Sequence, residues 1–254
     1  MLYVVSTPIG NLEDITFRAI EILKKVDLIL CEDTRETLKL LNYYGIKNRL
    51  LSYYKDNELK RVNKVIEMLK DGKEIALVCD RGTPGISDPA FLLVSSAHKN
   101  SIKVISIPGP SSLTSAISIS GLPSDKFSFY GFLPKGKNKK KKFMESLKER
   151  EETLIFFESV YRIKETLQII KETFSGREMT ICREITKKFE EIKYGKVEDV
   201  CDYFLNKENK GEFVILIGRR RWNDYKIFQE KKEYENYFMV GGSYDNSWFF
   251  NMGN

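Results

Sequence analysis

The chain has 254 residues, enough for one large α/β domain or two of ordinary size, and its 42% hydrophobic and 31% charged residues are those of a globular protein. Cys31, Cys79, Cys182 and Cys201 lack C-x-x-C spacing and read as small core residues of a reducing compartment, while His98 as sole histidine excludes Ser-His-Asp hydrolysis and His-based zinc sites. No run of about 18 apolar residues is present, and the chain passes from Met1 to Ser6-Thr7-Pro8 without a basic n-region, so a cytoplasmic location and no membrane association are expected.

Taken in order, the first half alternates strand and helix. Residues 2–6 predict a strand, and Ile15, Ala19, Ile22, Leu23 and Val26 then fall at helical spacing, with Asp14 as the expected cap. A second strand at 28–31, a helix from 34 to about 44 stopped by Gly45, and a short strand at 50–53 follow. Val62, Val65, Ile66 and Leu69 mark a helix that stops at Gly72. Strands at 75–79 and 103–107 flank a helix at 89–100. This rhythm predicts a parallel wound sheet.

Two loops in this half point to a ligand. The apolar run Ile75-Ala76-Leu77-Val78-Cys79 is followed at once by Asp80-Arg81-Gly82-Thr83-Pro84-Gly85, the pattern of a buried parallel strand ending in a tight turn. In open α/β sheets, ligands bind beyond the carboxyl ends of the strands. Pro108-Gly109-Pro110-Ser111-Ser112 opens a helix expected at 111–120, so its free backbone N–H groups and two hydroxyls would face the same crevice. Either loop alone is also what a plain turn or an N-cap looks like. Neither G-x-G-x-x-G nor G-x-x-x-x-G-K-[ST] occurs, which argues against a standard dinucleotide or P-loop site.

Gly121-Leu122-Pro123-Ser124 breaks the rhythm and divides the chain into an N-terminal α/β domain at 1–120, a C-terminal α/β domain at 121–221 and a tail at 222–254. The second domain is expected to hold a mixed sheet with strands at 127–133, 153–157, 179–183, 191–194 and 212–217, with a helix to about 150 and another carrying Ile163, Leu167 and Ile170. The net charge of +6 is concentrated at Lys135-Gly136-Lys137-Asn138-Lys139-Lys140-Lys141-Lys142, Lys187-Lys188 and Arg219-Arg220-Arg221. Each run could be a solvated loop; together they point to a polyphosphate partner such as nucleic acid.

Thr7-Pro8-Ile9-Gly10-Asn11-Leu12, Asp14-Ile15-Thr16, Glu32-Asp33-Thr34-Arg35, Gly82-Thr83-Pro84, Ile86-Ser87-Asp88-Pro89, Pro108-Gly109-Pro110-Ser111, Gly121-Leu122-Pro123 and Gly131-Phe132-Leu133-Pro134 occur in that order. Over about residues 1–218 the chain resembles the branch of the tetrapyrrole-methylase superfamily that methylates the ribose 2′-oxygen of a cytidine in small-subunit (16S) ribosomal RNA. The resemblance implies a two-domain fold, an S-adenosylmethionine donor held between the domains, a homodimer, and ribosomal RNA or the 30S subunit as partner. The donor is expected at Pro8, Gly10, Asp80, Gly82, Thr83, Pro84, Ser111 and Ser112.

A sulfonium methyl is already activated, so the chemistry requires alignment of the hydroxyl and a base for its proton, and no metal. Glu158, at a strand end expected to face the crevice, and Glu32 or Asp33, at another, are the candidate bases. Each could instead form an ion pair with Arg18, Arg35, Arg162 or Arg183. Phosphates are expected at Arg18, Arg35, Lys139, Lys140, Lys141, Lys142, Arg162 and Lys187.

The chain departs from the family's usual text at Arg81, where a small residue is common, at Tyr54, where a His is common, and at Val160-Tyr161 in place of Pro-His. The tail is short and ends in Tyr244, Trp248, Phe249 and Phe250. Two rivals follow: an RNA-binding protein of this fold without catalysis, and a superfamily methylase acting on a tetrapyrrole or a protein side chain.

Overall fold

A computed structural model describes residues 1–220. The aromatic tail residues lie outside them. Ten strands form two five-stranded sheets among the described residues.

The first sheet contains β1 (Leu2–Val5), β2 (Leu28–Cys31), β3 (Leu50–Ser52), β4 (Ile75–Leu77) and β5 (Val104–Ile107). All its pairings are parallel, in the order β3-β2-β4-β1-β5. The period-2 alternation of strand side chains divides its core in two. Tyr3, Val5, Ile29, Cys31 and Ala76 pack toward α1 (Phe17–Lys25) and α2 (Thr34–Tyr43). Leu2, Leu28, Leu30, Ile75 and Leu77 pack toward α3 (Glu58–Lys70) and α4 (Phe91–Lys99). Helix α1 begins later than expected, because the Thr16 hydroxyl, rather than Asp14, accepts the Ala19 N–H at 3.1 Å. Strand β4 is also shorter than the apolar run, so Val78 and Cys79 already belong to the turn. The fifth helix, α5 (Ser112–Ile119), follows β5.

The second sheet contains β6 (Phe127–Phe132), β7 (Thr153–Ser159), β8 (Glu178–Arg183), β9 (Glu191–Lys196) and β10 (Glu212–Ile217), in the order β6-β7-β10-β8-β9. It is mixed, as expected: β6 runs parallel to β7 and the other pairs are antiparallel. One face, with Leu154, Phe156, Ile181 and Ile215, is covered by α6 (Lys137–Ser146), α7 (Ile163–Thr173) and α8 (Val197–Leu205). The opposite face, with Ile155, Val214 and Leu216, packs against Ile9, Ala116 and Ile117 of the first domain. The second sheet therefore uses the first domain as its other layer.

Of the lysine block, Lys135 and Gly136 precede helix α6 and the residues from Lys137 on form its first turns, so the solvated-loop alternative does not hold for them. Lys140 is 0% exposed and so is no surface phosphate contact. Its ammonium donates to Glu165 at 2.8 Å and to the Thr166 hydroxyl at 2.9 Å, and lies 3.9 Å from Glu158. A charge this deep is tolerated only because its donors are used. Lys140→Ala should cost about 3 kcal/mol of stability, in line with removing one member of a buried ion pair. Thermal unfolding checks this, against a change near zero for Lys139→Ala on the exposed side.

Candidate active site

Three loops meet at the carboxyl ends of β4, β1 and β5. Thr7 and Gly82 exchange backbone hydrogen bonds of 2.8 and 3.0 Å, and the Thr7 hydroxyl donates to the Cys79 carbonyl at 3.1 Å. The Thr83 hydroxyl shares a 2.8 Å hydrogen bond with Ser6 and lies 3.1 Å from the Pro110 carbonyl, binding the third loop to the other two. Gly82 has φ +83°, a conformation that glycine adopts without strain, and a Cβ there would stand 3.2 Å from Ile9 Cγ2.

Beyond these loops lies a cavity of about 270 Å³ between the two domains. The first domain lines it with Ile9, Gly82, Thr83, Asp88, Ser111 and Ser112. The second contributes Phe132, Phe157, Ser159, Cys182 and Ile185. Of the residues expected to hold the donor, Gly82, Thr83, Ser111 and Ser112 reach the wall. Pro8, Gly10, Asp80 and Pro84 do not line it: Gly10 lies under the Lys187 side chain, and Asp80 accepts the Asp33 backbone N–H at 2.9 Å.

The carboxylates are distributed differently from expectation. Glu158 is among the residues that line the cavity, yet it shares the parity of Leu154 and Phe156, so its carboxylate is on the helix-covered face of the sheet, beside Thr166, Lys140 and Arg162. It is buried, accepts from the Thr166 hydroxyl at 2.7 Å and its neighbour's N–H at 2.9 Å, and pairs with Arg162 at 2.7 Å. Arg162 also donates to the Leu133 carbonyl at 2.9 Å, so it braces the protein rather than awaiting a phosphate. Asp33 caps α2 by accepting the Arg35 N–H at 2.8 Å, and its pairing with that guanidinium takes the carboxyl down to about 2. Arg35 is thereby engaged as well.

Glu32 is different: burial, with the Asp80 and Asp88 charges, raises its carboxyl, and no hydrogen bond reaches it among the described residues. Asp88, which motif reading quoted but did not single out, is pushed up to about 6, chiefly by burial, with the Cys79 thiol opposing and Asp80 adding to the rise. Its position in a cavity wall was the missing signal. Asp80 is also raised, mainly by desolvation.

At the mouth, Arg81 pairs with Glu212 at 2.7 Å, Glu212 with Lys187 at 2.9 Å, and Lys187 with Glu184 at 2.7 Å. This chain of charges crosses from one domain to the other. It engages Lys187, which therefore stands as a link in the crossing instead of an open phosphate site. Lys141 pairs with Glu172, while Arg18, Lys139 and Lys142 are exposed and without an ion pair among the described residues. Arg219 and Arg220 pair with Asp125 and Glu149.

Residues 1–201 match the family model described as Tetrapyrrole (Corrin/Porphyrin) Methylases, and the chain belongs to that family. It is 47% identical over 217 residues to Ribosomal RNA small subunit methyltransferase I of Thermotoga maritima, across 85% of this chain and 97% of that protein. It is 43% identical over 235 residues to the protein of that name from Bacillus subtilis, across 92% and 80% of the two chains. Among solved structures, a diphthine synthase superposes with a TM-score of 0.66 at 13% identity, covering 85% of this chain and 89% of that one. The chain is a methyltransferase, and S-adenosylmethionine is its methyl donor.

The cavity fits that donor. Ile9, Ile86, Phe132 and Ile185 offer apolar surface, the serine and threonine hydroxyls offer polar contacts, and Asp88 offers the negative charge that a sulfonium or ammonium group requires. Asp88 also makes the empty-handed protein less stable. Its folded carboxyl holds a proton more tightly than the ordinary value of 3.8, so its contribution is fully present below about pH 4 and is lost as pH rises through about 6. Asp88→Asn should therefore raise Tm without donor above about pH 7, and the gain should vanish toward pH 4. Scanning calorimetry across that range checks the sign.

Proposed function

We propose that the chain methylates the ribose 2′-hydroxyl of a cytidine in small-subunit ribosomal RNA, acting as a homodimer in the cytoplasm. The observation that carries this reading is the two-sided cavity in a chain whose relatives, 43% and 47% identical, are named for the small ribosomal subunit. The first-domain wall would hold the donor through Gly82, Thr83, Ser111 and Ser112, with Asp88 balancing its positive charge. The second-domain wall would cover the donor through Ile185 and Phe213 and receive the nucleotide beside it. When bound, the donor supplies an activated methyl group.

The protein's own task is then to align the hydroxyl and take its proton. We assign the proton to Glu32: it directly follows β2 at the strand-end edge and, though not itself in the cavity wall, is close enough to the cavity-lining Asp88 to feel its charge, and its raised carboxyl carries no hydrogen bond among the described residues. Glu158 serves as the brace between β7, α6 and α7. Exposed Arg18, Lys139 and Lys142 would neutralise phosphates, a contribution that weakens with salt. Lys141 joins them only by releasing Glu172.

The direct test maps ribose methylation in small subunits from cells with and without the gene, then restores it with purified protein. One cytidine 2′-O-methyl group should disappear and return. A methyl group lost from a base instead, or no ribose change, would overturn the reading. In the same assay, Glu32→Gln should lower kcat by about 10² or more with donor affinity kept. Glu158→Gln should lower Tm and leave kcat largely intact; the opposite pattern would return the base to Glu158.

A further inference from the structure

Strand β6 carries a bulge next to the cavity. Phe129 is opposite Ile155, yet Phe132 is opposite Phe157, so three residues of β6 span two of β7. Gly131 takes the extra step at φ +63°, and Ser87 Oγ stands 2.9 Å from where its Cβ would be. Without that residue, Phe132 would oppose Glu158 and turn toward the helices. With it, Phe132 joins Phe157 on the cavity face, where the two rings meet edge to face at 5.7 Å. Phe132 is nevertheless 57% exposed.

A second aromatic is carried by the turn that follows the neighbouring strand. Because β6 and β7 are parallel, their carboxyl ends share one edge, and the Arg162 bond to the Leu133 carbonyl at 2.9 Å ties the turn after β7 to the chain leaving β6. Tyr161 is in that turn, two residues beyond the cavity-lining Ser159, and is 96% exposed. Lys135 and Lys137 lead out of the same β6 end and are exposed without an ion pair among the described residues. Two exposed rings and unpaired ammonium groups thus edge the acceptor wall. That combination suits a single-stranded nucleic acid, whose bases stack on aromatic faces while its phosphates meet lysines.

We propose that Phe132 and Tyr161 form a stacking platform for an unpaired nucleobase of the RNA, holding the target ribose at the cavity mouth. This deepens, and rests on, the reading of the chain as a ribosomal RNA methyltransferase. Tyr161 is a positioning residue: it touches the base, not the reacting oxygen.

The test uses the full chain and a short single-stranded RNA of the substrate sequence with 2-aminopurine beside the target cytidine. Stacking quenches that fluorophore. Wild type and Tyr161→Phe should quench it on binding; Tyr161→Ala and Phe132→Ala should quench less and bind roughly 5- to 100-fold more weakly, the range for one lost base-stacking ring. With small subunits, KM should rise in both alanine variants, while for Tyr161→Ala donor affinity and Tm stay constant. Equal quenching and KM in all four proteins would overturn the platform. A rise in KM on assembled subunits alone, with oligonucleotide binding unaltered, would overturn it in favour of a ribosomal-protein contact. Absence of methyl transfer to RNA by wild type would instead bring down the reading beneath it.

Discussion

The pair of backbone hydrogen bonds between Thr7 and Gly82 is the constraint on which the rest of the site depends. It fastens the loop after β1 to the loop after β4, and Thr83 extends the stitching to the loop after β5. Ile9, two residues after Thr7, packs in one cluster with Ile155 and Ile185, so the loop that shapes the cavity wall also seats the second domain. Buried backbone groups that must find partners make such a joint stiff. A cavity wall assembled this way is preorganised for a ligand before one arrives.

On the far side of the second sheet, polar burial does a different job. Lys140, Glu158, Arg162 and Thr166 form one connected group that bridges α6, β7 and α7. Replacing such a group with apolar residues often costs nothing in stability, so we attribute it to register: it fixes where the end of β7 and the turn bearing Tyr161 stand relative to the basic helix. The acids on the first domain's edge behave oppositely. Glu32, Asp80 and Asp88 are raised together because burial and mutual repulsion disfavour their charges. That unfavourable concentration of acid is what a cationic ligand relieves.

Much of the fold was legible because alternating apolar runs and Gly stops obey simple periods. The site was less so. Four apolar residues, Leu154 to Phe157, precede Glu158, and a strand buried on both faces does not reveal which parity faces the ligand. Lys140 hid within a charged run, although Met144 and Leu147, four and seven residues on, place it on the buried stripe of α6. Asp88 stood unremarked within Ile86-Ser87-Asp88-Pro89, and its carboxyl is raised only by the surroundings that folding supplies. The bulge in β6 left one trace, Gly131, and its effect on Phe132 depends on pairing with β7. Motif reading did reach four residues of the cavity wall, Gly82, Thr83, Ser111 and Ser112, whose loop chemistry is local.

The central claim is that both domains together form the donor site. Hydrogen exchange on the full chain, with and without S-adenosylmethionine, tests it most directly. The account predicts slower exchange of the Thr83 and Ser112 amides on one wall and of Ile185 and Phe213 on the other. Protection confined to the first domain, with the second-domain amides unaffected at saturating donor, would contradict it.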